Sequence, residues 1–259
     1  MLITLSPAKT LNFETVPNVS RHTKPLMLDE AESLVRIMRR KKRTEIKNLM
    51  NVSEKIADLN IERFKKWSKT NSNSVKKQAI YAFMGDVYTG LEAHTLNPKD
   101  IEFAQIYLRI LSGLYGVLRP LDSLQAYRLE MGLKLTTPKG LNLYQYWGDQ
   151  ITLILNKHAK SSNSECLLNL ASGEYFKAVN KNKLDLEVVA PTFKDKKNGK
   201  YKIISFFAKK ARGMMANFVI KNKITNPAEL SDFNAGGYYL DSINSTVNAP
   251  IFLREEQPK

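Results

Sequence analysis

Apolar residues fall into short runs separated by polar turns, and their spacing divides the chain into helices and strands. Leu2, Ile3, Thr4 and Leu5 form a brief run of the kind a buried strand carries, stopped by Pro7. Leu28, Ala31, Leu34, Val35 and Met38 recur at helical spacing and predict a helix over 28–40. A second helix is expected over 44–50 with Thr44 as cap, and a short third over 61–67 capped by Asn60. Residues 79–83 read as a strand. Asn97-Pro98 opens a helix with Asp100 and Glu102 near its positive end, and Ile101, Phe103, Ala104, Ile106 and Leu108 make it apolar nearly all round.

Downstream, the pattern predicts one amphipathic helix over 142–156 and a strand over 166–170 that turns into a helix at Ser172-Gly173. Asn198-Gly199 marks a hairpin between β-rich runs at 187–193 and 200–205. A helix over 206–220, a short one opening at Asn226-Pro227, and strands within 236–240 and 251–253 complete the reading. The polar stretch 69–74 reads as a mobile loop and the charged tail as frayed. No internal repeat is present. The sum is a mixed α/β (α+β) fold: one globular domain over 1–259 with a mixed-sheet core and a basic helical subdomain at about 28–77.

The stretch 109–132, RILSGLYGVLRPLDSLQAYRLEMG, carries more charge than a core segment needs and more leucine than a surface loop needs. Arg119, Tyr127, Arg128 and Glu130 stand in it. Two readings remain open, a pocket wall or a buried turn whose charges pair with one another. Lys9, just past the first strand, and Ser172 and Glu174, just past another, repeat the layout of strand followed by polar turn. Open α/β sheets bind ligands at such strand ends.

Charge changes the picture further. The 259 residues carry a formal net charge of +15. Residues 36–77 hold 14 Lys and Arg against 4 Asp and Glu, residues 192–223 hold 10 against 1, and the remainder nets −4. Basicity gathered in two blocks on a slightly acidic body is the footprint of a polyanion-binding protein, whereas a merely solvated lysine surface spreads its charge. The single cysteine, Cys166, excludes an intramolecular disulfide, suits a reducing cytoplasm, and reads as a buried apolar residue rather than a nucleophile. No signal-peptide pattern and no membrane span is predicted, so a cytoplasmic location is expected. His22, His94 and His158 are scattered, with no HExxH or CxxC spacing, so neither a metal site nor a cofactor is expected.

The run LMNVSEKIA at 49–57 lies inside the first basic block and resembles the helix-hairpin-helix of DNA-binding proteins. Val52 takes the place of the apolar plug and Ala57 that of the close helix contact. Backbone N–H groups of such a turn and the following helix N-terminus cradle a phosphate. Both usual glycines are replaced, by Asn51 and Ser53; asparagine tolerates the left-handed conformation and serine caps a helix well. Lys47, Lys55, Arg63 and Lys65 would supply charge here, and Lys209, Lys210 and Arg212 in the second block.

Six strings in order, MLITLSPAKT at 1–10, GDVYTG at 85–90, LSGLYGVLRP at 111–120, YRLEMG at 127–132, NLASGEY at 169–175 and FAKKARG at 207–213, resemble the YaaA family of bacterial peroxide-stress proteins, also called UPF0246 or DUF328. The resemblance implies protection against hydrogen peroxide by limiting unincorporated iron, and one mixed α/β domain with a helix-hairpin-helix and a positively charged cleft able to bind DNA. Two function classes follow. The first is a DNA-binding protein that takes duplex or structured DNA with little sequence preference through Lys47, Asn51, Val52, Ser53, Lys55, Arg63, Lys65, Lys209, Lys210 and Arg212. The second is an enzyme on a nucleotide or nucleic acid, with Lys9, Tyr88, Arg119, Tyr127, Arg128, Glu130, Ser172 and Glu174 as candidates. There a glutamate would move protons, tyrosines orient, and cations hold anionic charge.

Overall fold

Strands apolar on both faces bury both faces, and LITL, LRILS and CLLNL are such strands. In the computed structural model, which describes residues 1–17, 19–71 and 74–256, they form the centre of the molecule. Strands β1 (Leu2–Leu5), β2 (Leu108–Ser112), β3 (Gly116–Leu118), β4 (Cys166–Leu170) and β5 (Glu187–Val189) make one sheet in the order β3-β2-β1-β4-β5. From β2 through β5 all neighbours are parallel, with Ile3 opposite Leu108 and Leu168, while β3 folds back antiparallel on β2. The chain leaves β1 toward β2 on one side and returns to β4 on the other, so the switch point at which open α/β sheets bind ligands falls beyond the carboxyl ends of β1 and β4.

A second sheet contains β6 (Thr192–Lys197), β7 (Lys200–Lys202), β8 (Tyr238–Leu240) and β9 (Ile251–Arg254), ordered β7-β6-β9-β8. The expected Asn198-Gly199 hairpin joins β6 to β7, with both residues at positive φ (54° and 73°) as a type I′ turn requires. Phe193, Phe233, Tyr238 and Phe252 pack as an aromatic cluster on this sheet. The predicted strand at 187–193 is divided between the two sheets, because Pro191 has no N–H for a ladder.

Among the described residues, seven longer α-helices accompany the sheets: α1 (Leu28–Arg39), α2 (Arg43–Met50), α3 (Glu54–Lys66), α4 (Asp86–Leu91), α5 (Pro98–Tyr107), α6 (Gln150–Ser161) and α7 (Ser205–Asn222). Several expectations need correction. Thr44 is not a cap; α2 is entered from Lys42, whose N–H donates to Glu45 at 2.8 Å. Asn60 starts no helix. It lies buried within α3, donating its amide to the Ile56 carbonyl at 2.8 Å. Residues Ala79–Ala82 form a helical turn instead of a strand. The helix expected over 142–156 is broken at Gly148, in positive φ, into Leu143–Trp147 and α6. On α5, Ile106 is half exposed. The loop expected at 69–74 and the tail lie partly outside the described residues.

The tightest contact joins α4 to α7. A Cβ on Gly90 would stand 2.1 Å from the Lys210 carbonyl oxygen, and one on Gly213 only 1.8 Å from that of Val87. The two helices meet backbone to backbone, and glycine is the residue that permits it.

Candidate functional site

Three serines stand at or just past the carboxyl ends of the parallel strands and brace the segments that follow them. Ser6 follows β1; its hydroxyl donates to Ser172 Oγ at 3.2 Å and accepts from the Ser172 N–H at 2.8 Å. The Ser6 carbonyl accepts from Tyr88 Oη at 3.1 Å. Ser112 ends β2, with its hydroxyl 2.6 Å from Tyr127 Oη and accepting the Tyr115 N–H at 3.0 Å. These bonds tie the segment after β1 to that after β4 and to Tyr88, and brace the stretch after β2 on itself.

Beyond them lies a small notch lined by Pro7, Ala8, Lys9, Tyr127, Arg128, Leu129, Glu130 and Tyr175, with a volume of about 10 Å³. Glu130 is its centre and is 8% exposed. Arg128 donates to Glu130 Oε1 through Nε at 3.0 Å and Nη2 at 2.9 Å, and Lys9 Nζ lies 3.5 Å from the same oxygen. The other oxygen, Oε2, is buried and has no hydrogen-bond partner among the described residues. A desolvated carboxylate oxygen without a donor is costly. The notch has about the room one water needs. A carboxylate at a water-sized notch, with one oxygen held by cations and the other unpartnered, is equipped to accept a proton or orient a donor.

The phenols around it stay neutral. Burial pushes the Tyr88, Tyr127 and Tyr175 phenols well up, and Tyr115 up to about 12. Glu174 sits one residue before Tyr175; its Oε1 accepts the Gly132 N–H at 2.9 Å, two residues beyond Glu130. Lys9, Tyr127, Arg128 and Glu130 thus meet at one notch, with Tyr88, Ser172 and Glu174 bonded to the segments that frame it. Arg119 does not line it. Its guanidinium grips the buried Asp122 at 2.8 Å and donates to the Lys24 carbonyl at 3.0 Å. Sequence reasoning did not single out Ser6, Ser112 or Tyr175, although each lies within a string it had noted. Among the described residues, no three His, Cys, Asp or Glu side chains gather as a metal-binding group.

The candidate contacts of the first basic block, from Lys47 to Lys65, occupy α2, α3 and the turn between them. Asn51 ends α2 in the left-handed conformation (φ 49°, ψ 60°), and Ser53 caps α3 by accepting the Ile56 N–H at 3.4 Å. Val52 is half-buried against the core, Ala57 is fully buried, and Lys55 is exposed. Lys47 pairs with Glu54 and Lys65 with Glu62, each at 3.0 Å on the surface.

The carboxyl end of α3 borders a cavity of about 620 Å³ lined by Arg39, Arg63, Lys65, Lys66, Trp67 and Gln125, among others. Burial, and after it the nearby Arg128 guanidinium, pulls the Arg63 pKa down. Gln125 and Ala126 line this cavity and the next two residues, Tyr127 and Arg128, line the Glu130 notch, so the two adjoin along the chain. Arg39 is fully engaged there, donating to the Phe64, Lys65 and Trp67 carbonyls that end the helix. Trp67 Nε1 donates to Tyr115 Oη at 2.7 Å, fastening α3 to the 109–132 stretch. Lys209, Lys210 and Arg212 lie elsewhere, on α7: Lys209 is 3.9 Å from Asp86, and Lys210 lines a separate cavity of about 320 Å³. Arg212 is half-buried, and burial lowers its pKa.

Comparison with known proteins agrees with these strings. Residues 1–243 match the family model described as "Peroxide stress protein YaaA". Proteins named UPF0246 are 52% identical in Shewanella pealeana and Shewanella loihica and 51% identical in Shewanella halifaxensis, each over 257 residues covering 99% of this chain and 100% of the relative.

Proposed function

From the premise that the chain belongs to the YaaA family of peroxide stress proteins, we propose that it is a DNA-binding protein of the hydrogen peroxide response, which limits unincorporated iron and shields DNA and protein from oxidative damage. The observation that carries the DNA reading is the α2–α3 hairpin. A left-handed Asn51 and a capping Ser53 present the open N-terminus of α3 to solvent, beside the exposed Lys55. The first N–H groups of a helix have no intrahelical acceptor and attract phosphate. Surface pairs such as Lys47–Glu54 are worth little, so Lys47 is free to exchange its carboxylate for a phosphate. Arg63 and Lys66, around the neighbouring cavity, extend the basic surface.

The test is charge reversal on the hairpin. Lys47→Glu combined with Lys55→Glu should weaken binding to a fluorescent duplex by roughly a hundredfold or more, at about 1–2 kcal/mol for each charge-assisted contact plus repulsion. An unchanged affinity in the folded double variant refutes the hairpin as the contact.

A second reading, an enzyme acting on a nucleotide or nucleic acid, is favoured by one observation, the unpartnered Glu130 Oε2 beside Lys9 and Arg128. In it Glu130 orients and deprotonates a water, and Lys9 and Arg128 hold phosphate or oxyanion charge. DNA recovered after incubation with the protein would be chemically changed by the native chain and unchanged by Glu130→Gln. Unaltered DNA and nucleotides with the native chain dismiss this reading.

A further inference from the structure

A buried ammonium without a counter-ion lies in another cavity, of about 720 Å³, beneath the segment that runs from Phe13 to Pro25. Lys77 is 5% exposed, and its Nζ donates to a neutral group, Thr15 Oγ1, at 2.9 Å. No carboxylate pairs with it among the described residues. Its backbone is pinned in a short ladder opposite Leu124, and burial lowers its pKa. An unpaired buried ammonium is expensive and persists where something compensates it.

The walls around it are well anchored. Gln78 donates to the Val19 and Arg21 carbonyls at 2.8 and 3.0 Å, and Thr23 donates to Asp122 at 2.6 Å, strapping the covering segment to the core. Lys24, Lys69 and Lys76 line the same cavity as Lys77, against a single lining carboxylate, Glu14. Lys69 is paired with Asp29 and Lys76 donates to the Asn71 carbonyl, while Lys24 is exposed at the rim. Phosphate alone would leave most of this space unfilled; cavities of roughly 300–1,000 Å³ hold small organic ligands.

We propose that this cavity is a binding site for an organic phosphomonoester of up to mononucleotide size, with the phosphate on Lys77 and Lys24 and the organic part against Phe13 and Tyr115. Such a group comes either as a free mononucleotide or as the 5′-phosphorylated end of a nucleic-acid strand. The site does not depend on the hairpin contact proposed above.

Calorimetric titration of the full chain with adenosine monophosphate, adenosine, and a short single strand with or without a 5′-phosphate separates the possibilities. The monophosphate should bind at least about tenfold more tightly than adenosine, as a charge-assisted contact warrants. If the strand end is the source, the 5′-phosphorylated strand outbinds both the free monophosphate and the unphosphorylated strand. If a free mononucleotide is the source, the monophosphate binds more tightly than either strand. Lys77→Met should abolish the preference for phosphate while leaving the melting temperature unchanged or raised, because it removes an uncompensated charge. The exposed Lys24→Gln should weaken the phosphate arm alone. With Lys47→Glu/Lys55→Glu, binding of the monophosphate should persist, so failure of the hairpin reading and failure of this site are distinguishable. Equal affinity for adenosine and its monophosphate, no binding of any of the four, or a Lys77→Met variant that melts lower and keeps the preference, overturns the proposal.

Discussion

At the scale of single residues, charges that look alike in sequence take different parts. Arg109 and Arg128 stand in one stretch, yet Arg109 is a buried structural clamp. It donates to the Gln105, Ile106 and Leu108 carbonyls and, at 2.6 Å, to His158 Nδ1. His158 therefore accepts on Nδ1 and carries its proton on Nε2. Burial, followed by the Arg109, Arg119 and Lys157 charges, pushes its pKa down to about 4. The unfolded chain binds this proton near its ordinary pKa, so between about 6.5 and 4 the unfolded state holds more of it. The contribution to stability is complete above about pH 6.5 and is lost as pH falls toward 4. Urea unfolding at several pH values should show His158→Gln with a shallower loss over this window than the native chain; parallel curves would exclude it. Glu130 is the opposite case. Glu130→Gln strips Arg128 of its anion in a mostly buried setting and should cost about 1–3 kcal/mol in urea unfolding. A stability unchanged within about 0.5 kcal/mol would mean that the pair is not coupled in solution.

At the scale of elements, periodicity read the strands and long helices well, because burial leaves a trace in composition. The strands β1 and β4, the start of α5 and the Asn198-Gly199 turn all stood where expected. Interruptions were less legible. Asn60 has the chemistry of a cap but satisfies its amide within α3, and Gly148 breaks a helix through its backbone alone. The pairing of α4 with α7 was hidden too, although GDVYTG and FAKKARG each supply one of its glycines. Gly213→Ala should overpack that crossing and destabilise by about 3 kcal/mol or more, since the obstacle is backbone. Gly199→Ala has open space and should cost only about 1 kcal/mol, for its left-handed φ. Thermal melts of the two variants check the ranking; equal losses would mean that the helices separate without penalty.

At the scale of the whole molecule, charge distribution was legible and spatial convergence was not. Composition located two basic blocks, but the first borders the 620 Å³ cavity at the end of α3, whereas the second runs from the β6–β7 hairpin into α7, with Lys210 at a different cavity. Lys9 is brought to the neighbouring Arg128 and Glu130 only by parallel strands distant in sequence. Lys77 escaped notice for a related reason: as the last cation of a long basic block it resembles its solvated neighbours, and only burial sets it apart. In cells lacking the native gene, a copy carrying Lys47→Glu/Lys55→Glu should fail to lower chelatable iron after peroxide exposure, measured by electron paramagnetic resonance. Full restoration by that copy would uncouple iron control from the hairpin.

The central claim is that this basic surface holds DNA phosphates, and counterion release gives it a direct signature. Fluorescence anisotropy with one duplex between about 50 and 200 mM salt should give a steep linear fall of log affinity with log salt, at a slope of about −0.9 per phosphate contacted, alike for unrelated sequences. Lys47→Glu/Lys55→Glu should flatten that slope by about two contacts. An affinity for duplex DNA that scarcely changes across this salt range would contradict the account.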